Sequence, residues 1–156
     1  MFTSVRDLVG LWRHEASQTA RVMAALTDAS LAQEVAPGYR SLGDLAWHVA
    51  AAPPHFLGGF GLQVAGPNTR VPRPERAAEI RSIFEDVQSG LADAVAREWS
   101  DASLATNGDV FGRTMTRGMA VLVMLHHEIH HRGQMTVLMR QAGLPVPGVY
   151  GPAKDE

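Results

Sequence analysis

The sequence predicts an all-α protein, a four-helix bundle in which a single domain spans residues 1–156. Two observations favour this fold class. Four segments place apolar residues at spacings of three and four, and no segment alternates convincingly between apolar and polar residues. A content of 46% hydrophobic and 19% charged residues is typical of a folded globular chain rather than a disordered one.

The first two predicted helices cover residues 4–26 and 41–52. Ser41 and Asp44 have the spacing of a capping box, in which each side chain satisfies a backbone N–H at the start of a helix. Pro53-Pro54 is expected to end the second helix, because proline lacks the N–H that a helix interior requires. The connection between these two helices has room for a short helical turn.

The third and fourth predicted helices cover residues 74–99 and 113–142. Between the second and third helices, residues 56–74 are rich in Gly and Pro, and they are expected to form a long loop. Gly143 and Pro145 end the last helix, in which apolar residues occupy nearly all sides between Met119 and Leu125. Such a helix is buried on more than one side, either inside the bundle or against a second subunit.

The most unusual feature of the composition is seven histidines, four of which lie within residues 126–131. On a helix, residues four apart share a face, so His126 can pair with His130 and His127 with His131. Either imidazole pair could hold one metal ion. Both pairs continue apolar stripes of the last helix, and periodicity therefore leaves the choice between them open.

A third ligand is expected from another helix, and His48 is the best candidate because it lies beside the apolar residues of the second helix. His55 and His14 are weaker candidates, since the first follows the two prolines and the second lies off the apolar stripe. Three imidazoles suit Zn, Ni, Cu or Fe. Since these imidazoles must be neutral to bind, their ordinary pKa of ~6.5 predicts that metal is lost below about that pH.

Residues 127–131 also satisfy the pattern H-E-x-x-H of zinc peptidases, in which the glutamate, here Glu128, is the general base. The extended form of that pattern requires Gly where this chain has Gln134. A peptidase also needs a further ligand downstream, where the only acids are Asp155 and Glu156. We therefore disfavour a peptidase.

Three segments together resemble the DinB/YfiT-like family: residues 40–48 (RSLGDLAWH), residues 127–134 (HEIHHRGQ), and the tail with Gly143-Leu144-Pro145 and Tyr150-Gly151-Pro152. The resemblance extends over nearly the whole chain. It implies a four-helix bundle, often a homodimer, with a divalent metal on His48, His127 and His131. Zinc or nickel is expected, with manganese or iron as alternatives.

Characterised proteins of this kind include thiol-dependent transferases and isomerases, so the resemblance implies a metal-dependent enzyme that adds a small-molecule thiol to an electrophilic substrate. A related hydrolytic or isomerising activity at the same metal site is the alternative within this class. The chain has no cysteine, and the thiol would therefore come from the small molecule. One alternative is a metal-binding stress or detoxification protein that sequesters a ligand without turnover. Another is a degenerate fold that is kept as a dimeric interaction module.

Three further residues are candidates for supporting roles near the metal. Gln134 is placed to hydrogen-bond a ligand, and Arg132 could orient an anionic substrate or form a structural ion pair. His130 would lie behind the ligands or at a subunit interface. No catalytic residue beyond these is identified.

Charge and hydropathy limit the partners. The formal net charge of −2 disfavours nucleic acid, and the longest apolar run is far shorter than a membrane span. These features predict a cytoplasmic protein that acts on small molecules, and the resemblance to the DinB/YfiT-like family implies that it is a homodimer.

Overall fold

The computed structural model describes residues 2–62, 65–67 and 70–154. Four long helices dominate it, which confirms the predicted fold class. The helices are α1 (Val5–Ala24), α2 (Leu42–Ala51), the short α3 (Pro53–Leu57), α4 (Ala77–Glu98) and α5 (Arg117–Gln141). Short 3-10 helices cover Asp28–Ala32, Gly58–Phe60 and Asp101–Ala105, and an antiparallel hairpin joins β1 (Asn107–Val110) to β2 (Arg113–Thr116).

The four long helices pack in a ring in which α4 and α5 each contact both α1 and α2. Consecutive helices α1 and α2 therefore face each other across the bundle instead of lying side by side. This arrangement makes α2 and α5 neighbours, although 65 residues separate their ends in the sequence. Among the described residues, no helix has both the length and the hydropathy needed to cross a membrane.

The core consists of two apolar clusters separated by a polar layer. One cluster surrounds Trp12 and the other surrounds Phe84. Between them lie buried polar side chains from three helices: Glu15, Thr19, Gln88, Glu128 and Arg132. Glu15 is a charged residue of α1, and yet only 4% of it is exposed. The reason is an ion pair with Arg132, at 2.7 Å, which no local pattern reveals.

The hairpin is the main difference from the prediction, which contains no strand. Each strand has only four residues, mostly partly or fully exposed, so the alternation is too short to be recognised. Residues 113–116 form β2 rather than the first turn of the last helix. That helix begins after its N-cap Thr116, whose hydroxyl accepts a hydrogen bond from Met119 N at 3.2 Å.

The segment after α2 is also more structured than the predicted loop. Pro53 does not end helical structure but begins α3, where its missing N–H costs nothing. The 3-10 turn that follows packs tightly against the hairpin: a Cβ atom on Gly59 would lie 2.0 Å from the carbonyl oxygen of Asp109. Glycine is therefore required at position 59. The 3-10 helix at Asp28–Ala32 confirms the short helical turn expected between the first two helices.

Candidate metal centre

Helix α2 presents His48 from its last turn. The predicted capping box is confirmed: Ser41 Oγ accepts from Asp44 N at 3.2 Å, and Asp44 Oδ2 accepts from Ser41 N at 3.2 Å. Buried Leu45 and Val49 hold one face of α2 in the core. His48 is partly buried beside them and is directed towards α5.

His127 and His131 meet His48 from one face of α5. The Nε2 atoms of His48 and His127 are 2.9 Å apart. The ring centroid of His131 lies 4.8 Å from that of His48 and 4.5 Å from that of His127. One nitrogen from each imidazole lies within 4.8 Å of the others, and the group could hold a metal ion. We call these three residues the histidine triad.

The donor set of the triad fits a divalent transition metal. Zinc–nitrogen bonds of about 2.1 Å place two ligand atoms about 3.0 Å apart at a right angle and about 3.4 Å apart at a tetrahedral angle. The observed distance of 2.9 Å between the Nε2 atoms of His48 and His127 is close to this range. Small shifts of the two side chains would lengthen this distance into the range. Within the described part of the chain, this group includes no carboxylate.

The triad is poised in the neutral form that metal binding requires. Burial lowers the pKa of both His48 and His127 to about 4, with further lowering by the neighbouring histidines and Arg40. Burial also lowers the pKa of His131, against the opposing effect of its hydrogen bond with Gln134. Protons therefore compete for the triad at lower pH than the ordinary value of ~6.5 suggests.

Gln134 lies one turn beyond His131, and its Oε1 atom is 2.7 Å from Nδ1 of that histidine. A carbonyl oxygen accepts, so Nδ1 carries the proton and Nε2 of His131 keeps its lone pair free. His130 is exposed, with its ring centroid 5.0 Å from that of His131. His126 is exposed as well.

The weaker histidine candidates lie outside the triad. His14 is exposed on α1, and its backbone carbonyl accepts a hydrogen bond from Ser17. His55, on α3, is exposed and lines a cleft that also contacts His48 and His127. Trp47 is partly buried and packs against the second apolar cluster.

Arg132, the residue after His131, is buried in the polar layer instead of facing solvent. Its guanidinium donates to Glu15 Oε2 at 2.7 Å, to Thr19 Oγ1 at 3.1 Å and to the hydroxyl of Tyr150. Tyr150 in turn donates to Glu15 Oε2 at 2.6 Å. Arg132 is thus committed to an ion pair that connects α5, α1 and the C-terminal tail.

Glu128, the residue after His127, belongs to the same layer. Its carboxylate accepts from Thr19 Oγ1 at 2.6 Å and from Gln88 Nε2 at 2.9 Å. Burial raises the pKa of Glu128 to about 7, although the Thr19 hydrogen bond and the charge of Arg132 oppose this. Both oxygens are occupied by core partners, which does not suit the general base of a peptidase.

Two clefts flank the triad. The first, which we call the Arg40 cleft, has a volume of about 330 Å³ and is bordered by His131. Its remaining lining comes from the loop before α2, from α2 and from α5: Val35, Tyr39, Arg40, Leu45, Gln134, Val137 and Leu138. The second, the Phe111 cleft, has a volume of about 480 Å³ and is bordered by His48 and His127. Its other lining residues are Ala51, Ala52, His55, Phe56 and Phe111.

Sequence analysis does not identify Phe111 as a site residue. It lies at the tip of the hairpin with φ 54°, in the left-handed region, followed by Gly112 at φ 77°. A bulky side chain is uncommon there. The ring of Phe111 packs edge-on against Phe56 at 5.2 Å, and Phe56 lies 5.3 Å from His127. In the sequence, the dipeptide Phe111-Gly112 between two short polar stretches could have indicated a two-residue hairpin turn.

Arg40 is the second residue that sequence analysis does not single out for the site. It is exposed, lines the Arg40 cleft with His131, and lies close enough to the triad for its charge to lower all three histidine pKa values. The feature of the sequence that could have identified Arg40 is its position directly before Ser41, the N-cap of the helix that carries His48. That position fixes its backbone relative to α2.

The chain is thus a helical-bundle protein with a candidate metal centre, formed by histidines of two neighbouring helices. The DinB family model matches residues 1–156, and the chain belongs to the DinB family. The family suggested by the three sequence segments is therefore confirmed.

The chain is similar to several bacterial proteins. It is 37% identical over 156 residues to the uncharacterized protein YrdA of Bacillus subtilis (strain 168). The aligned region covers 100% of this chain and 93% of that protein. A crystal structure of a DinB-like protein from Bacillus cereus ATCC 10987 matches with a TM-score of 0.92 and 42% identity, over 96% of this chain and 100% of the other. The DinB-like protein YjoA from Bacillus subtilis matches with a TM-score of 0.68 and 16% identity, over 88% and 92% of the two chains, which shows likeness of fold alone.

Proposed function

We propose that this DinB-family chain is a metal-dependent enzyme that transfers a small-molecule thiol to an electrophilic substrate. The ligands in this proposal are His48, His127 and His131. Zinc or nickel suits the all-imidazole donor set, with manganese or iron as alternatives. We also place the enzyme in the cytoplasm as a homodimer, on the basis of its sequence.

The observation that carries the proposal is the convergence of three neutral imidazoles between two clefts. Structural zinc sites are usually closed by a fourth protein ligand, whereas catalytic sites keep a position open. Among the described residues, the group has three members, and both clefts reach it. Two separate molecules can therefore approach the same centre from different sides.

The thiol is supported by chemistry and by the resemblance to characterised thiol-dependent proteins. A divalent ion bound at the triad would favour the thiolate form of a bound thiol, and the thiolate is the nucleophile. The chain's own residues prepare the site: Gln134 sets the tautomer of His131. The apolar Phe111 cleft offers Phe56 and Phe111 as walls for the electrophile.

The first test is metal binding. We expect zinc or nickel at near-stoichiometric content in the wild type and in His14→Ala, measured by elemental analysis after dialysis. His48→Ala, His127→Ala and His131→Ala are each expected to weaken metal binding by more than the about 10–100-fold typical of groups that only orient a ligand. Equal metal content in all four variants would overturn the ligand assignment.

The second test is turnover. Metal-loaded protein is incubated with a thiol such as glutathione and an electrophile such as a chloro-dinitro-arene or an epoxide, and thiol consumption is followed. We expect consumption that requires the metal and is lost in His127→Ala, while the helical circular dichroism signal is retained. Tight binding of the electrophile with no consumption of any thiol would instead support the sequestering protein.

A further inference from the structure

The position of Arg40 is fixed by a loop that closes on itself. Leu42 N donates to the carbonyl oxygen of Gln33 at 2.8 Å, and a β-bridge pairs Glu34 with Ser41. These contacts tie the two ends of residues 33–42 together beside the start of α2. The loop therefore carries Arg40 to the edge of the triad on a defined backbone.

The guanidinium of Arg40 has no acidic partner among the residues that the structure describes. In the described ranges of the chain, no hydrogen bond or ion pair engages it. The nearest acid along the loop, Glu34, accepts from Gly38 N at 2.9 Å through Oε2. Asp44, one turn into α2, is paired with Arg73 at 3.1 Å. Arg40 thus presents an uncompensated positive charge to the cleft.

The charge balance of the site adds to this effect. The triad contributes three neutral imidazoles and no carboxylate, so a divalent ion there would keep its full charge. Arg40 adds one more positive charge beside it. The rest of the Arg40 cleft is largely apolar, with Val35, Val137 and Leu138 in its walls. Such a cleft favours a molecule that carries both an anionic group and an apolar portion.

We propose that the Arg40 cleft is the substrate subsite for an anionic group, which pairs with Arg40 while the apolar portion of the same molecule packs against the cleft walls. This inference deepens the proposed function and rests on it only in naming the bound molecule a substrate. The second molecule of the proposed reaction then binds in the Phe111 cleft. Arg40 is then the residue that determines specificity for charged over neutral substrates.

The test compares two probes of similar size, 1-hexanesulfonate and hexyl methyl sulfone, which differ in charge. A sulfonate is a weak zinc ligand, so a preference for it reports on Arg40. Binding to zinc-loaded, full-length protein is measured by ¹H–¹⁵N NMR titration, following the backbone amides of Gln134 and Val137. Arg40→Gln is compared with Arg97→Gln, which removes a charge from a side chain that is 65% exposed at the end of α4.

We expect the wild type and Arg97→Gln to bind the sulfonate about fivefold more tightly than the sulfone, as for an exposed ion pair. Arg40→Gln is expected to bind the two probes equally and to keep its zinc. Salt is expected to reduce the wild-type preference. Equal affinity of the wild type for both probes, or an unchanged preference in Arg40→Gln, would overturn the inference.

The zinc content of each sample separates this inference from the proposed function. Protein that binds none of zinc, nickel, manganese and iron but still prefers the sulfonate through Arg40 supports the subsite and contradicts the metal-dependent enzyme. Protein that binds zinc through the triad but shows no preference contradicts the subsite alone.

Discussion

Individual residues decide whether the triad is a ligand set or a cluster of surface histidines. Burial keeps His48 and His127 neutral, with pKa values of about 4. The hydrogen bond from His131 Nδ1 to Gln134 Oε1 turns the other ring nitrogen towards its neighbours. Three neutral imidazoles are thus brought together where a cation could use their lone pairs.

Gln134 allows a prediction at this scale. In Gln134→Leu, His131 loses the acceptor that fixes its tautomer, and metal affinity is expected to fall about 10–100-fold. The measurement is competition with a fluorescent zinc chelator. Gln141→Leu, at the exposed end of α5, is the matched control and is expected to bind zinc like the wild type. Unchanged affinity in Gln134→Leu would show that the hydrogen bond does not orient the ligand.

Among the elements, α5 carries two faces with different tasks. One face presents His127 and His131 to α2, and the other places Glu128 and Arg132 in the polar layer against α1 and α4. Glu128 and Arg132 each directly follow a triad histidine in the sequence. The ion pair of Arg132 with Glu15 therefore fixes the rotation of α5, and with it the direction in which the histidines point.

Removing Arg132 is expected to destabilise the fold. Arg132→Leu leaves the carboxylate of Glu15 buried without its cation, and such broken pairs cost about 3–5 kcal/mol. Side-chain exposures of 3% and 6% make screening by solvent small here. Urea denaturation measures the change, and Arg140→Leu, on the exposed surface of α5, is expected to change stability little. A loss below about 1 kcal/mol in Arg132→Leu would mean that the ion pair contributes little.

For the whole molecule, the triad links pH to folding. The pKa values of His48 and His127 are about 4 when folded, whereas those of unfolded histidines are about 6.5. Between these values the unfolded chain binds more protons, so metal-free protein loses stability as the pH falls from about 6.5 to 4. Glu128 acts in the opposite direction, because its raised pKa lets the folded state bind a proton below about 7.

We therefore expect the double variant His48→Gln/His127→Gln to lose less stability than the wild type between pH 7 and pH 5. The measurement is urea denaturation in the presence of a chelator at both pH values. Glu128 is present in both proteins, so its contribution cancels in the comparison. An equal loss of unfolding free energy in the two proteins between pH 7 and pH 5 would contradict the lowered pKa values of His48 and His127.

The sequence by itself determined the long helices and the histidines that are candidates for the triad. Apolar spacing, the Ser41–Asp44 capping box and the HEIHHRGQ segment are local patterns, because helix formation and capping depend on residues within one or two turns. Residue spacing left the pairs His126/His130 and His127/His131 equivalent. The family resemblance chose between them, and the structure brings His127 and His131 to His48.

Only the tertiary structure decided what distant segments do to one another. The partnership of Glu15 with Arg132 spans 117 residues, and the contact of Phe111 with Phe56 depends on a hairpin too short to recognise. Arg40 became part of the site because a closed loop carries it to the triad. Such contacts depend on how the helices are arranged around the core, and local spacing holds no information about that arrangement.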